Sequence, residues 1–262
     1  MSSGVCTVAV DVGNTAVKLA LREGDQVVDH TIKHDHSHWH LEAIHWVQTV
    51  VACQETRWRI SSVHRHAAET LIEAIENEVD ASTIDCITFD DVPIEVAVDS
   101  PSKLGIDRLL SAFAASRLVP LQSRRSGMAV VDAGSAITVD WINHAGHFCG
   151  GAILPGLSLQ SRALAMGTDA LPEILWNTDR PLRLPATNTN DAIHGGILIG
   201  VAGAIDSLVS RYFSGQDEPL TSPGIVILTG GDANTLSPHL QSPHQTHAHL
   251  VCRGLLELPV SQ

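Results

Sequence analysis

The amino-acid sequence predicts an α/β protein built from two similar halves. Strand-like and helix-like patterns alternate along the 262 residues, an order that fits a pair of α/β domains. One pattern occurs twice, as AVDVGNTAVKLAL and VVDAGSAITVDWI, so that Asp11 and Gly13 correspond to Asp132 and Gly134. A repeat separated by about half the chain suggests two halves of like architecture facing each other. The alternative is a pair of unrelated hairpins with glycine turns.

The first half opens with three predicted strands, unlike the strand–loop–helix of a Rossmann or P-loop unit. Apolar or alternating runs cover residues 5–10, 17–21 and 26–32, with short polar turns between them. Further strands are predicted at 58–63 and 84–89. Helical patterns follow at 42–54, 67–78 and 105–118.

The second half repeats this order, with strands at 128–131, 136–142 and from 148 onward. A helix predicted at 190–213 carries four glycines, and each costs a helix interior about 1 kcal/mol relative to alanine. They suggest close approach of another backbone or a ligand, so this helix is predicted to be a dimer interface or a cleft wall. A strand at 225–228 follows. The polar stretch 120–127 is the candidate boundary, giving domains 1–120 and 121–262.

Charge and composition exclude several classes of protein. The chain has 29 acidic and 16 basic residues, a net charge of −13, which argues against nucleic-acid or anionic-membrane partners. A phosphorylated ligand must then be held by local backbone amides. No signal peptide or membrane-spanning run is predicted. Five scattered cysteines predict reduced thiols in a cytoplasmic protein: Cys6, Cys53, Cys86, Cys149 and Cys252.

The first repeat is a candidate phosphate-binding segment. Small residues in a tight turn between strands let backbone N–H groups face an anion. Lys18 adds a positive charge, whereas Asp11 would repel phosphate and suits Mg²⁺ or its water shell. The segment comprises Asp11, Val12, Gly13, Asn14, Thr15, Ala16, Val17 and Lys18. The alternative is a hairpin turn that uses Asp and Asn for turn chemistry alone.

The second repeat follows the same logic, with Asp132 as a cation ligand and Ser135 in the turn. The two turns could close on a polyphosphate from both sides. Farther along, Gly230 and Gly231 end an apolar strand and leave room for a bulky ligand such as a nucleoside. The alternative there is an ordinary strand-to-helix turn in which Asp232 caps the helix.

Histidines crowd one segment of the chain. They are His30, His34, His36, His38, His40 and His45. Spacing by two could bind Zn²⁺ or Ni²⁺ adventitiously, but no acidic or thiol partner marks a dedicated site. We therefore predict a solvated, histidine-rich loop, and we expect Trp39, Trp46 and Trp58 to lie in the core or an interface.

Six short motifs in order resemble those of type III pantothenate kinases. DVGNT, GIDR, DAGSA, GGAILPG, an Asn-Thr pair before the glycine-bearing helix and TGGDA together span about residues 8–235. The resemblance implies two ribonuclease-H-like domains facing across a cleft, in the superfamily of acetate kinase, sugar kinases, Hsp70 and actin. It also implies ATP-dependent phosphorylation of pantothenate to 4′-phosphopantothenate, the first step of coenzyme A biosynthesis. Mg²⁺, a monovalent cation (K⁺ or NH₄⁺) and a homodimer are further implications.

The resemblance also implies roles for individual residues. It places ATP phosphates at Asp11–Lys18, an ATP contact at Ser135, adenosine at Gly230 and Gly231, and the monovalent cation at Asp132. On the substrate side, it makes Asp107 the catalytic base within Gly105-Ile106-Asp107-Arg108, and it places pantothenate contacts at Thr189 and at the position of Val98.

The chemistry of Asp107 is consistent with that role. A carboxylate in the first turn of a helix is favoured by the helix dipole, by about 0.3–1 kcal/mol, which keeps it ionised. Phosphoryl transfer is loose, so alignment matters more than a strong base. Arg108 could pair with the pantothenate carboxylate. The alternative makes Asp107 a plain helix-terminal charge and Arg108 a surface residue.

Two positions depart from the family pattern. Val98 stands where the family usually has a substrate-contacting tyrosine, and Ser135 replaces a threonine while keeping the hydroxyl. Val98 motivates an alternative in which the same fold phosphorylates another small alcohol. A second alternative is a non-catalytic transcriptional accessory factor.

Overall fold

The described residues of the computed structural model form two five-stranded sheets, each accompanied by helices. These residues are 5–23, 26–51, 53–120, 123, 126–176, 181–215 and 224–259. Internal contacts divide the chain into a first unit, within 1–94, 99–117 and 249–262, and a second, within 95–98 and 118–248. The predicted α/β class is confirmed.

The first sheet has the strand order β3-β2-β1-β4-β5. Its strands are β1 (Val5–Val12), β2 (Ala16–Glu23), β3 (Gln26–Lys33), β4 (Glu55–Ser62) and β5 (Ser82–Cys86). The first three form an antiparallel meander, and β4 and β5 continue the sheet in parallel with β1. One face of this sheet packs its apolar side chains against α1 (Trp39–Val50) and α2 (Arg65–Glu78).

Two more helices belong to the first unit, α3 (Ile106–Leu118) and α7 (Leu250–Glu257). Helix α7 contacts β1, β2 and β4. A Cβ added at Gly254 would lie 2.6 Å from the carbonyl oxygen of Leu110, so α7 and α3 approach each other backbone to backbone. The sequence pattern assigned α7 to the domain at 121–262, whereas α7 contacts strands of the first sheet.

The second sheet has the order β10-β9-β6-β7-β8. Counted from the β8 edge, this is the same arrangement as in the first sheet, with β8, β7 and β6 in the places of β3, β2 and β1. Its strands are β6 (Met128–Ala133), β7 (Ala136–Ile142), β8 (Phe148–Pro155), β9 (Ile225–Thr229) and β10 (Gln245–Thr246). The helices of this unit are α4 (Leu157–Gly167), α5 (Thr189–Ser214) and the short α6 (Ala233–Leu236). Apolar residues of α5 pack with those of β6, β7 and β9 in the core.

The sequence repeat marks equivalent places in the two sheets. Asp11 of β1 pairs with Lys18 on β2 and with Ser61 on β4. Asp132 of β6 pairs in the same way with Thr138 on β7 and Thr229 on β9. The second turn is one residue shorter, because Gly13 N–H donates to the carbonyl of Ala16 whereas Gly134 N–H donates to that of Ala136. The prediction of two halves with like architecture is therefore confirmed.

The cysteine prediction is wrong for one pair. Cys6 and Cys53 form a disulfide, while Cys86, Cys149 and Cys252 are free. Cys6 lies on β1 opposite Thr56 of β4, and Cys53 comes just before β4 in the chain. The parallel pairing of these two strands therefore brings together cysteines separated by 47 positions.

The long helix α5 is apolar enough, by length and composition, to cross a membrane. An 18-residue window reaches a mean hydropathy of 1.7, whereas the sequence pattern predicted no such run. Half of this window is buried within the structure, as in the core helix of a globular domain. Of its four glycines only Gly195 is closely packed, against Leu184 and Leu182 side chains, and the other three have open space beside them. Among the residues that the structure describes, no backbone makes the predicted close approach to these glycines.

Candidate functional site

The first predicted phosphate segment forms the hairpin between β1 and β2. Asp11 is 5% exposed, and its Oδ2 lies 3.4 Å from Nζ of Lys18, its partner across the two strands. Gly13 N–H donates to the Ala16 carbonyl, and Asn14 and Thr15 lie exposed at the tip. The hairpin therefore offers solvent a short polar tip with one ammonium group and one carboxylate at its base.

Within the predicted solvated loop, His36 and His38 are exposed as expected, whereas His34 contacts this hairpin. Nε2 of His34 lies 3.0 Å from the carbonyl oxygen of Gly13. His30 belongs to β3 and stacks on Trp46, while His40 and His45 belong to α1. Among the described residues, no group of three or more His, Cys, Asp or Glu side chains is placed to hold a metal ion. Trp39 and Trp58 lie in the core as expected.

Asp107 is the second residue of α3 and is reachable from solvent. Its Oδ1 accepts a hydrogen bond from the N–H of Arg108 at 2.9 Å. A Cβ on Gly105 would lie 2.5 Å from that same Oδ1, so any larger residue at position 105 would require the carboxylate to shift. The glycine of this motif therefore lies against the carboxylate of its aspartate, a contact that the sequence pattern did not reveal.

The second predicted phosphate turn joins β6 and β7, with Ser135 exposed at its tip and Asp132 partly exposed at its base. Gly156, at the end of the GGAILPG motif, donates its N–H to the Ser135 carbonyl at 3.1 Å. A Cβ at Gly156 would lie 2.6 Å from that oxygen. The sequence pattern assigned no role to this glycine, which packs directly against the turn.

The segment Thr229–Ala233 also meets the second turn. Gly230 has a φ of +99°, and a Cβ on it would collide with the backbone of Ala133. The N–H of Asp232 donates to the Ala133 carbonyl at 2.9 Å. Gly231 is exposed, and a Cβ added to it would have no neighbouring atom within 4 Å. Two other motifs, GGAILPG and TGGDA, therefore pack against the short turn of the DAGSA motif.

Asp232 occupies the N-cap position of α6 that the alternative interpretation expected. Its carbonyl accepts hydrogen bonds from the N–H groups of Thr235 and Leu236, but its side chain makes no cap hydrogen bond. Burial raises the pKa of the Asp232 carboxyl above its usual value. A partly buried acid therefore lies beside the open glycine of this segment.

The two predicted pantothenate contacts of the second unit lie on different elements. Val98 belongs to a segment that pairs with the edge of β8, where Ala97 N–H donates to the Phe148 carbonyl at 2.8 Å. The Cγ1 of Val98 would lie 3.6 Å from a Cβ added at Gly150. Thr189 is the exposed first residue of α5, and Asn188 before it caps the helix by accepting from the Asp191 N–H.

The sequence of this chain matches the family model for type III pantothenate kinase over residues 7–211. It belongs to the type III pantothenate kinase family. The type III pantothenate kinase of Rhodopirellula baltica is 34% identical, over 96% of this chain and 97% of that protein. That of Flavobacterium johnsoniae is 32% identical, over 94% of both. This pantothenate kinase accordingly catalyses the ATP-dependent phosphorylation of pantothenate in coenzyme A biosynthesis.

Solved structures support the predicted fold. A conserved putative Baf family transcriptional activator from Campylobacter jejuni superposes with a TM-score of 0.57 at 21% identity, covering 95% of this chain and 96% of that one. The acetate kinase of Porphyromonas gingivalis gives 0.51 at 12% identity, covering 97% and 98%. These likenesses concern the fold alone. They agree with the predicted fold of two like α/β domains.

Proposed function

We propose that Asp107 is the catalytic base of this pantothenate kinase and accepts the proton of the substrate hydroxyl. The observation that carries this proposal is the position of the Asp107 carboxylate in the first turn of α3, beside Gly105, which has no side chain to displace it. There it accepts the Arg108 N–H and remains accessible to solvent. A carboxylate held in this way is aligned to accept a proton late in a loose phosphoryl transfer.

Both hairpin turns bind phosphate groups of ATP in this proposal. Asp11–Lys18 supplies backbone N–H groups at an exposed tip and the Lys18 ammonium. The second turn supplies the Ser135 hydroxyl, and Gly230 and Gly231 take the adenosine. When bound with ATP, Mg²⁺ would neutralise phosphate charge, and Asp11 would hold it through water. A single buried carboxylate suits Mg²⁺, which retains most of its water ligands.

Asp132 is proposed to hold the monovalent cation, K⁺ or NH₄⁺. It occupies the position in the second sheet that Asp11 occupies in the first, but it is more exposed. A hard carboxylate oxygen is a suitable ligand for such a cation.

On the substrate side, we propose that Arg108 pairs with the pantothenate carboxylate and that Thr189 donates a hydrogen bond. Gly105 and Ile106 contribute contacts from the start of α3. Val98 contributes an apolar contact where the family usually has tyrosine. The Val98 side chain is partly buried beside Gly150, which supports a shape contact at this position.

A homodimer is part of the proposal, with α5 as the contact surface. A cytoplasmic location and the lack of nucleic-acid or membrane partners stay predictions that rest on composition.

The test of the catalytic assignment is a coupled ADP-release assay of Asp107→Asn. We expect kcat to fall by about 10²–10⁴-fold, the usual contribution of a general base. Asp80→Asn is the matched control because Asp80 is exposed in the turn between α2 and β5. Turnover by Asp107→Asn at the wild-type rate would remove the base assignment.

The cation assignment has its own test. Replacing K⁺ by a large organic cation should reduce the rate of the wild-type enzyme but not that of a variant lacking Asp132.

A further inference from the structure

We propose that His34 is a positioning residue for ATP, acting through the backbone of the first phosphate hairpin. The inference rests on the proposed binding of ATP phosphates at Asp11–Lys18. Its starting observation is the 3.0 Å separation between His34 Nε2 and the Gly13 carbonyl oxygen. A carbonyl oxygen can only accept, so Nε2 carries the proton and donates it.

The position of His34 in the chain explains how it reaches the hairpin. It directly follows β3, whose last residue Lys33 pairs with Ala16 at the start of β2. The end of β3 and the β1–β2 turn therefore lie at the same end of the sheet. One histidine just beyond the strand can reach back to the turn, whereas His36 and His38 farther along are exposed.

The bond controls the direction of a peptide group that could face phosphate. The Gly13 carbonyl and the Asn14 N–H belong to one peptide, and in a planar trans peptide they point in opposite directions. With the carbonyl held by His34, the Asn14 N–H points away from the histidine. Asn14 and Thr15 are the exposed residues of this turn. A preoriented N–H of this kind is what a backbone anion site requires.

Neighbouring groups hold the imidazole in place. The His34 ring lies 5.7 Å from the Trp39 ring and 5.2 Å from the His64 ring, measured between centroids. Trp39 is 6% exposed and belongs to the core. Nδ1 of His64 accepts the Ala67 N–H as the N-cap of α2, which fixes that second imidazole. Next to it, Val63 N–H donates to the Val12 carbonyl at 3.1 Å.

Two consecutive carbonyls of the hairpin, those of Val12 and Gly13, are thus bound from outside the hairpin, by Val63 and His34. The first bond is backbone to backbone and survives any side-chain change. The second depends on the side chain at position 34 alone. Substitution there should therefore change how the turn presents its N–H groups while leaving the strand pairing intact.

The experiment measures ATP binding by calorimetric titration without pantothenate, together with KM for each substrate and the melting temperature. His34→Leu removes the donor, and His34→Asn keeps a polar group too short to reach Gly13. His34→Gln places an amide N–H near the position of Nε2. We expect about five- to tenfold weaker ATP binding for Leu and Asn, as for one lost hydrogen bond, and near wild-type binding for Gln.

The KM for pantothenate should not change in any of these variants. His38→Leu is the matched control, since His38 is exposed and its imidazole bonds the neighbouring Ser37 hydroxyl.

Lys18→Met tests the hairpin itself. Unchanged ATP binding by this variant removes the phosphate assignment and this inference with it. Weaker binding by Lys18→Met combined with wild-type binding by His34→Leu and His34→Asn overturns the role of His34 alone. If the Gln and Leu variants lose ATP affinity and melting temperature to the same extent, His34 has a merely structural role, and its role in positioning ATP is overturned. If His34→Leu does not fold, His34→Asn carries the comparison.

Discussion

Single glycines in the motifs have different physical roles. Gly105 leaves room for the Asp107 carboxylate, and Gly156 lies against the Ser135 carbonyl. Gly230 and Gly231 are neighbours in the same motif, yet only Gly230 is in contact with the second turn. The TGGDA motif was predicted to bind a ligand as one segment. Packing requires glycine at position 230, whereas position 231 is open to a ligand.

This difference predicts opposite effects of two adjacent substitutions. Gly230→Ala should lower the free energy of unfolding by at least about 1–3 kcal/mol, because its φ is +99° and its Cβ would meet Ala133. Gly231→Ala has open space and should change stability by less than about 0.5 kcal/mol. Urea denaturation of both variants measures the difference.

The same pair separates packing from ligand contact. If adenosine lies at this segment, Gly231→Ala should weaken ATP binding although it leaves stability unchanged. Equal stability of the two variants would contradict the packing role assigned to Gly230. Wild-type ATP binding by Gly231→Ala would argue against adenosine at that position.

At the scale of elements, α7 is attached to the first sheet by a buried arginine. On β4, Trp58 and Ile60 point into the core with α1 and α2, so Arg59 points to the opposite face. It is 4% exposed and donates to the carbonyls of Leu255, Leu258 and Pro259. Burial lowers the pKa of its guanidinium, and the Asp85 carboxylate opposes that effect. The carbonyls that lack partners at a helix C-terminus thus receive their donors from β4.

Removing this side chain should loosen α7. We expect Arg59→Met to lower the free energy of unfolding by about 2–4 kcal/mol, because two buried carbonyls and a partly buried third lose a charged donor. Arg65→Met, at the exposed start of α2, is the control and should be nearly neutral. Chemical denaturation measures both. A loss below about 0.5 kcal/mol would show that water or relaxation replaces the guanidinium.

At the scale of the whole molecule, the two units share one sheet topology, and the second unit carries the long helix α5. The exposed residues of α5 from Ala192 to Ser210 are uncharged, while the half-buried Asp206 accepts hydrogen bonds from the N–H groups of Gln241 and Ser242. These exposed residues are Ala192, Gly196, Ile199, Gly200, Gly203, Ser207 and Ser210. An uncharged face of small residues allows close approach of a second helix and is typical of an interaction surface.

We therefore expect a dimer in sedimentation experiments at micromolar concentration, and we expect Ile199→Lys to dissociate it. The ammonium group would have to be buried without a partner in the interface. Leu41→Lys is a matched control because Leu41 on α1 has the same exposure, 41%. A monomeric wild type would contradict the dimer, and a dimeric Ile199→Lys would place the interface elsewhere.

The sequence alone predicted the local elements of each sheet and the order of the motifs. The three-strand meanders at Asp11 and Asp132, the α3 helix and the α5 helix follow from alternation, helical periodicity and turn residues, which act over a few neighbouring positions. The six motifs also identified the family, since their residue types and order are visible without coordinates.

Other features depended on contacts between distant positions. Residues 249–259 gave no signal of packing on the first sheet, because the Arg59 contacts join positions about 200 apart. The Cys6–Cys53 disulfide depends on the parallel pairing of β1 and β4, and the His34 bond depends on β3 ending beside the β1–β2 turn. Local sequence determines which elements form and what chemistry they carry. Only tertiary structure decides which of them touch, because strand pairing and side-chain packing are set by the whole chain.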